Sequence, residues 1–219
     1  MSMTERFSEI LGNNMDSYAF HILGCGAIGS SAAIQLARLG ATHFCLYDND
    51  VVEEPNIGVS QYNILDIGKK KVEALNRHLI DIIGHDLNIC TFCERFGEYY
   101  YQDHQDVVIL GFDSMKSRLE AVEILCKHKK FKPQAIIDGR MGAEHYQQYF
   151  LAKPTVKQYI KTWYSDEEGD PEPCSAKATS YCSNMAGAFI ANTVRKMITD
   201  QPTEKEIVFN FPVMMLSAK

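Results

Sequence analysis

No apolar run in this 219-residue sequence approaches the roughly 20 residues that span a bilayer, so no membrane-spanning segment and no membrane partner is expected. The amino end, MSMTERFSEILGNNMDSYAF, lacks the basic start and apolar middle of a secretory signal, and a cytoplasmic location is the expectation. Basic charge is also in short supply: 22 Lys and Arg stand against 28 Asp and Glu, a net charge of -6, which argues against a general nucleic-acid binder. Paired cysteines are missing as well. The seven present (Cys25, Cys45, Cys90, Cys93, Cys126, Cys174 and Cys182) are odd in number and scattered, which suits reduced thiols better than a disulfide framework. What remains is an ordinary globular composition, 46% hydrophobic and 23% charged, with enough chain for one core. One domain over 1–219 is expected, with a nucleotide-binding half over 1–150 and a less regular remainder over 151–219.

Apolar runs alternate with helical periodicity through the first half. YAFHILGCG ends in glycines, SSAAIQLARLG has helical spacing and closes on Gly40, and HFCLYDND is a second apolar run ending in acids. IGKKKVEALNRHLIDIIG puts Val72, Leu75, Leu79 and Ile82 on one helical face with Gly84 as the stop, and LNICTFCERF reads as a strand. DVVILGFD is continuously apolar, as a strand covered on both faces must be, and SMKSRLEAVEILCKHK and QAIIDGR repeat the helix–strand alternation. The pattern predicts an α/β fold, a Rossmann-like doubly wound sheet, mostly parallel, with antiparallel strands in the second half and ligands at the carboxyl ends of the strands. In that second half HYQQYFLA reads as a strand, YSDEEGDPEPCSAKATSYC as a surface loop, SNMAGAFIANTVRKMI as a helix capped by Ser183, and EIVFNFPVMML as one late strand. No internal repeat is present.

The turn Gly24-x-Gly26-Ala27-x-Gly29 meets three needs at once: a tight turn, close approach of backbone N–H groups to phosphate, and close helix–strand packing. It follows a strand, opens a helix, and is followed about 20 residues later by Asp48, placed to accept hydrogen bonds from a ribose. A nucleotide site is the expectation, with a merely structural glycine turn as the alternative, and ribose does not distinguish NAD from ATP.

The next segment, DNDVVEEPNIGVSQYNILDIGKKKVEAL, resembles the ThiF/MoeB/HesA-like, ubiquitin-activating family of adenylyltransferases. The resemblance rests on the glycine turn, Asp48 and Asp50, Asn56, Gln61, Gly68 with Lys71 opening a helix, and Asp113 with Arg118 in GFDSMKSR; it covers Gly24 to about Arg118 strongly and the rest weakly. It implies Mg-ATP, with Asp48 on the ribose, Lys71 on the phosphates, Asn56 and Gln61 as neutral donors beside them, and Asp113 as the magnesium carboxylate, next to Ser114. Each has a plainer alternative: Lys69-Lys70-Lys71 as a solvated helix start, Asp113 or Ser114 as a helix cap, Arg118 as a buried structural pair.

Cys90-x-x-Cys93 is half a zinc motif, but on a strand its side chains point to opposite faces and no second pair follows; the family often holds zinc with two such pairs in its second half, where only Cys174 and Cys182 occur here, so no structural zinc is expected. In the family a cysteine about 20 residues before a lysine of the late helix can form a thioester. Cys174, ahead of Lys196, fits that place, in an acidic loop that would raise its thiol pKa; Cys182 is the fallback.

The sequence also departs from the family. Val59-Ser60 stands where an Arg usually precedes the Gln, and RFSEIL has Glu9 where a second amino-terminal Arg would fall. Two cations for the pyrophosphate are thus absent, and Arg140 in IIDGRMG is the candidate substitute, with Lys69 or Lys70 behind it. The expected function is ATP-dependent adenylation of a carboxylate, at the C-terminus of a small ubiquitin-like carrier protein or a peptide, by a homodimer. The DEEGDPEP loop could lie over the tail of such a substrate. The alternatives are a non-catalytic ThiF-like binding subunit, motivated by the absent arginines, and an NAD-linked oxidoreductase, motivated only by the glycine turn and Asp48.

Overall fold

The computed structural model describes residues 3–11, 15–84, 87–102, 105–127, 130–168 and 178–219. Its elements in chain order are α1 (Ser8–Leu11), β1 (Tyr18–Leu23), α2 (Ala27–Arg38), β2 (His43–Tyr47), α3 (Glu54–Ile57), α4 (Lys71–Ile83), β3 (Asn88–Phe92), β4 (Gln105–Leu110), α5 (Met115–Cys126), β5 (Ala135–Gly142), β6 (His145–Ala152), α6 (Val156–Tyr159), α7 (Ser180–Ile198), β7 (Glu206–Asn210) and β8 (Met215–Ala218). The eight strands form one sheet in the order β3-β2-β1-β4-β5-β6-β7-β8. The first five in that order are parallel, and β6, β7 and β8 are antiparallel additions.

The continuous apolar runs are explained by helices on both faces. Phe20, Ile22, Phe44, Leu46, Val107, Ile109 and Ile137 pack with α2, α4 and α7, whereas Leu23, Tyr47, Val108, Leu110 and Ile136 pack with α5 and α6. Successive strand side chains point to opposite faces, so a strand covered twice has no polar face to spare. Helix α4 buries Val72, Leu75 and Leu79 and stops at Gly84, as its periodicity requires.

Two expectations need correction in the second half. Helix α7 starts at Ser180, and its cap is Thr179, whose hydroxyl accepts the Cys182 N–H at 3.4 Å. Ser183 is buried within the first turn and donates to the Ser180 carbonyl at 2.9 Å. EIVFNFPVMML is not one strand but a hairpin. β7 ends at Asn210, whose side chain accepts the Val213 N–H at 3.3 Å, and β8 returns against β7. Pro212 has no N–H for a ladder, which ends the first strand there.

β2 and β3 lie to one side of β1 and β4 to the other, so strand order reverses between β1 and β4. That reversal leaves a crevice at the carboxyl ends of the two strands, where Gly24 and Gly111 lie.

Candidate active site

At the end of β1 the Gly24 N–H donates to the Tyr47 carbonyl at 2.9 Å, and the Gly111 N–H donates to the Leu23 carbonyl at 2.8 Å. Gly24 has φ +91°, where side chains are strained, and an added Cβ would lie 2.9 Å from the Gly111 backbone. At Gly29 a Cβ would sit 1.9 Å from the Gly24 carbonyl oxygen, so only glycine lets α2 come this close to the turn. Gly26 is the residue before α2 and Ala27 its first, and the first-turn N–H groups of that helix have no partner within the helix.

Asp48, just past β2, is gripped by two backbone donors: Cys25 N–H to Oδ2 at 2.8 Å and Asp50 N–H to Oδ1 at 2.9 Å. Each oxygen keeps acceptor capacity, so the carboxylate is aimed yet able to accept more hydrogen bonds. Lys71 is the first residue of α4. Its ammonium lies 2.9 Å from Asp50 Oδ2, and the side chain is 12% exposed. Burial opposes its charge, but the Asp50 hydrogen bond and the nearby Asp48 outweigh burial and hold the pKa above the usual lysine value. Tyr62 spans the turn and the helix, its hydroxyl 2.5 Å from the Cys25 carbonyl and 3.2 Å from the Lys71 carbonyl. Nothing in the sequence pattern marked Tyr62, because its partners belong to other elements.

Asp113 follows β4 on the 111–114 loop. It is exposed and has no side-chain partner among the described residues. Ser114 takes the cap of α5, accepting the Ser117 N–H at 3.3 Å, which leaves Asp113 free of that duty. A lone carboxylate at a strand's carboxyl end fits Mg²⁺, which takes one or two carboxylates and fills its remaining positions with phosphate oxygens and water. No group of three or more His, Cys, Asp or Glu suited to a metal occurs among the described residues.

The remaining expected site residues are placed differently. Asn56 closes a capping box in α3, its Oδ1 accepting the Glu53 N–H at 2.9 Å, and Gln61 spends its amide on Asn184 of α7 at 2.7 Å while its N–H donates to Ser30 Oγ at 3.1 Å. Arg140 is buried on β5. Its Nε and Nη2 donate to Asp138 at 2.9 and 2.7 Å, its Nη1 donates to the Thr162 carbonyl at 2.7 Å, and its guanidinium lies over the Tyr149 ring. Arg118 is a buried pair with the same Asp138. Cys174 lies outside the described residues. Cys182 is buried in the first turn of α7, where burial and then Glu144 push its thiol up to about 11, so it stays protonated near neutrality.

The glycine turn lies at the end of β1 beside Asp48 and Lys71, and Asp113 stands two residues past Gly111, whose backbone lies against Gly24. A family model described as "ThiF family" matches residues 3–214. The chain belongs to the ThiF family. Similar solved structures are E. coli MccB with succinimide (TM-score 0.71, 18% identity, 97% of this chain and 65% of that one), E. coli MccB with AMPCPP and MccA (0.66, 19%, 97% and 65%), and PaaA (0.70, 17%, 97% and 65%). At these identities the likeness shows the fold, and the ThiF-family chain described here spans about two-thirds of the length of those chains. A segment of 58 residues, 26% of the chain, is 43% identical to 10% of an uncharacterized Sinorhizobium fredii protein, y4qC. No described helix is long and apolar enough to cross a membrane.

Proposed function

We propose that the chain, as a single ThiF-like domain over 1–219, adenylates a carboxylate with ATP and releases pyrophosphate. The observation that carries this reading is a gripped Asp48, a half-buried cationic Lys71, and an Asp113 with no partner among the described residues, set around a glycine turn. A dinucleotide site would use the turn and Asp48 but would leave Lys71 and Asp113 without a task. Asp48 accepts from the ribose hydroxyls, and the N–H groups opening α2 meet the phosphates. Lys71 exchanges Asp50 for a phosphate oxygen. Asn56 retains an amide N–H₂ to donate, and Gln61 keeps one amide hydrogen beyond the one given to Asn184.

The attacking carboxylate is already ionised, so no general base is needed. Its oxygen bonds to the α-phosphorus, the bond to the bridging β-phosphate oxygen breaks, and pyrophosphate leaves with the electron pair. A magnesium ion held by Asp113 would neutralise charge on the phosphates. The substrate class we infer is the C-terminal carboxylate of a peptide or of a small ubiquitin-like carrier. Support for a peptide comes from the similar fold of MccB, which has been solved with ATP, with AMPCPP and with MccA. A homodimer in the cytoplasm completes the proposal.

The nucleotide is tested by thermal unfolding. Mg-ATP should raise the melting temperature more than NADH at equal concentration, since a ligand stabilises by RT ln(1 + [L]/Kd). Stronger protection by NADH would overturn the reading.

A further inference from the structure

Among the described residues Asp113 has no side-chain partner, so its direction is set by the loop that carries it. That loop is held by an unusual buried group. Arg118, 3% exposed on the first turn of α5, donates through Nη1 to the Leu110 carbonyl at 3.2 Å and through Nη2 to the Phe112 carbonyl, the two carbonyls that flank Gly111. A guanidinium is a rigid plane of donors, so its orientation fixes both carbonyls together. Its orientation is fixed in turn by Asp138 on β5, which is fully buried and pairs with Arg118 through Oδ1. The other oxygen, Oδ2, receives Arg140 Nε at 2.9 Å, Arg140 Nη2 at 2.7 Å and the Tyr159 hydroxyl at 3.1 Å. One carboxylate thus serves four donors.

The same loop is held from its other end by the segment after α6. Arg140 donates to the Thr162 carbonyl at 2.7 Å, and the Trp163 indole N–H donates to the Met115 carbonyl at 2.7 Å. Asp166 accepts the Met115 and Lys116 N–H groups at 2.6 and 3.2 Å and the Ser114 hydroxyl at 3.1 Å. Stability alone is a weak reason for such a cluster, because buried ion pairs replaced by apolar side chains often cost nothing. Its place does give a reason, since every chain of bonds ends on 110–116, the stretch that carries Asp113.

We propose that Asp138 is a positioning residue: with Arg118 and Arg140 it holds the 111–114 loop so that Asp113 faces the magnesium–triphosphate, and it ties that loop to segment 159–166. This rests on the role given to Asp113 above. Sequence gave no hint of it, since Asp138 reads only as a strand residue before Arg140.

The test uses Asp138→Asn, which removes the charge, and Tyr159→Phe, which removes one hydrogen bond and keeps the ring. Two readouts apply: kcat and KM for ATP in pyrophosphate exchange, and magnesium titration at saturating ATP followed by the emission of Trp163, the chain's single tryptophan. Groups that orient a metal-binding side chain are worth about 10–100-fold in metal affinity or activity. Asp138→Asn should lower kcat and raise the magnesium midpoint by about tenfold or more, with KM for ATP nearly unchanged. Tyr159→Phe should move both the same way, by less, at an unaltered melting temperature. If Asp138→Asn does not fold, Tyr159→Phe decides. Folded variants with a wild-type magnesium midpoint and kcat, or with only the melting temperature changed, would overturn the proposal. Wild-type protein that neither exchanges pyrophosphate nor responds to Mg-ATP would overturn the reading of Asp113 itself, and this proposal with it.

Discussion

The parallel and antiparallel parts of the sheet are built for different tasks. In β4 the residues from Val107 to Leu110 are fully buried, covered by helices on both faces, while all four residues of β8 are exposed. The parallel part ends in the loops that carry Asp48 and Asp113, with Lys71 opening α4 beside them. The antiparallel part contributes support: Asp138 and Arg140 on the bordering strand β5, Tyr149 on β6, and α7, whose Asn184 holds Gln61. The proposed chemistry gathers where strand order reverses, because adjacent loops splay apart there.

The sharpest way to break this contrast is to remove one cation from each part. Lys71→Ala should lower adenylation by about 10²–10³-fold, the usual loss for one group that stabilises transition-state charge. Lys196→Ala, which removes the partner of Glu204 at 2.5 Å, should leave activity near wild type. Steady-state pyrophosphate exchange checks both, and equal losses would erase the distinction.

A second comparison concerns stability. Ile109→Ala opens a cavity between the sheet and the layer of α2, α4 and α7 and should cost about 2–5 kcal/mol. Leu216→Ala on β8 trims a side chain that is 54% exposed and should stay within about 0.5 kcal/mol. Urea denaturation with a constant slope separates the two.

The placement of the glycine turn, Asp48 and Lys71 was legible in the sequence because short-range spacing sets it: a turn, a strand end and a helix start each leave a local signature. Strands and helices of the first half were legible for the same reason. Residues whose role depends on distant partners were not. Asp166 reaches the α5 N-terminus across 51 residues, and Asp138 meets Arg118 across 20. Ser183 looked like a cap because a serine stood at the right spacing, but Thr179 holds the extended conformation that caps require. The late hairpin was missed because its apolar run hid the turn at Pro212.

The smallest expected effect lies beside Lys71, where Asp66 anchors the turn before α4. Its carboxylate accepts the Asn63 N–H at 3.0 Å and meets His78 Nε2 at 2.6 Å. Burial opposes its charge, but these hydrogen bonds and the nearby positive groups prevail and hold the pKa below the usual carboxylate value. A lowered folded pKa means its contribution is present above the unfolded value and lost as pH falls through the folded one. Melting temperature should therefore drop at acid pH, below about 4, and Asp66→Asn should flatten that decline slightly. An unchanged acid limb in the variant would remove Asp66 from the account.

Adenylation of a carboxylate is tested most directly by exchange of labelled pyrophosphate into ATP with a library of peptides presented as free C-terminal acids and, in parallel, as C-terminal amides. The account predicts magnesium-dependent exchange with free acids, none with amides, and loss in Asp113→Ala. Exchange that ignores the amide block, or protein that binds ATP yet exchanges with none of the acids, would contradict it.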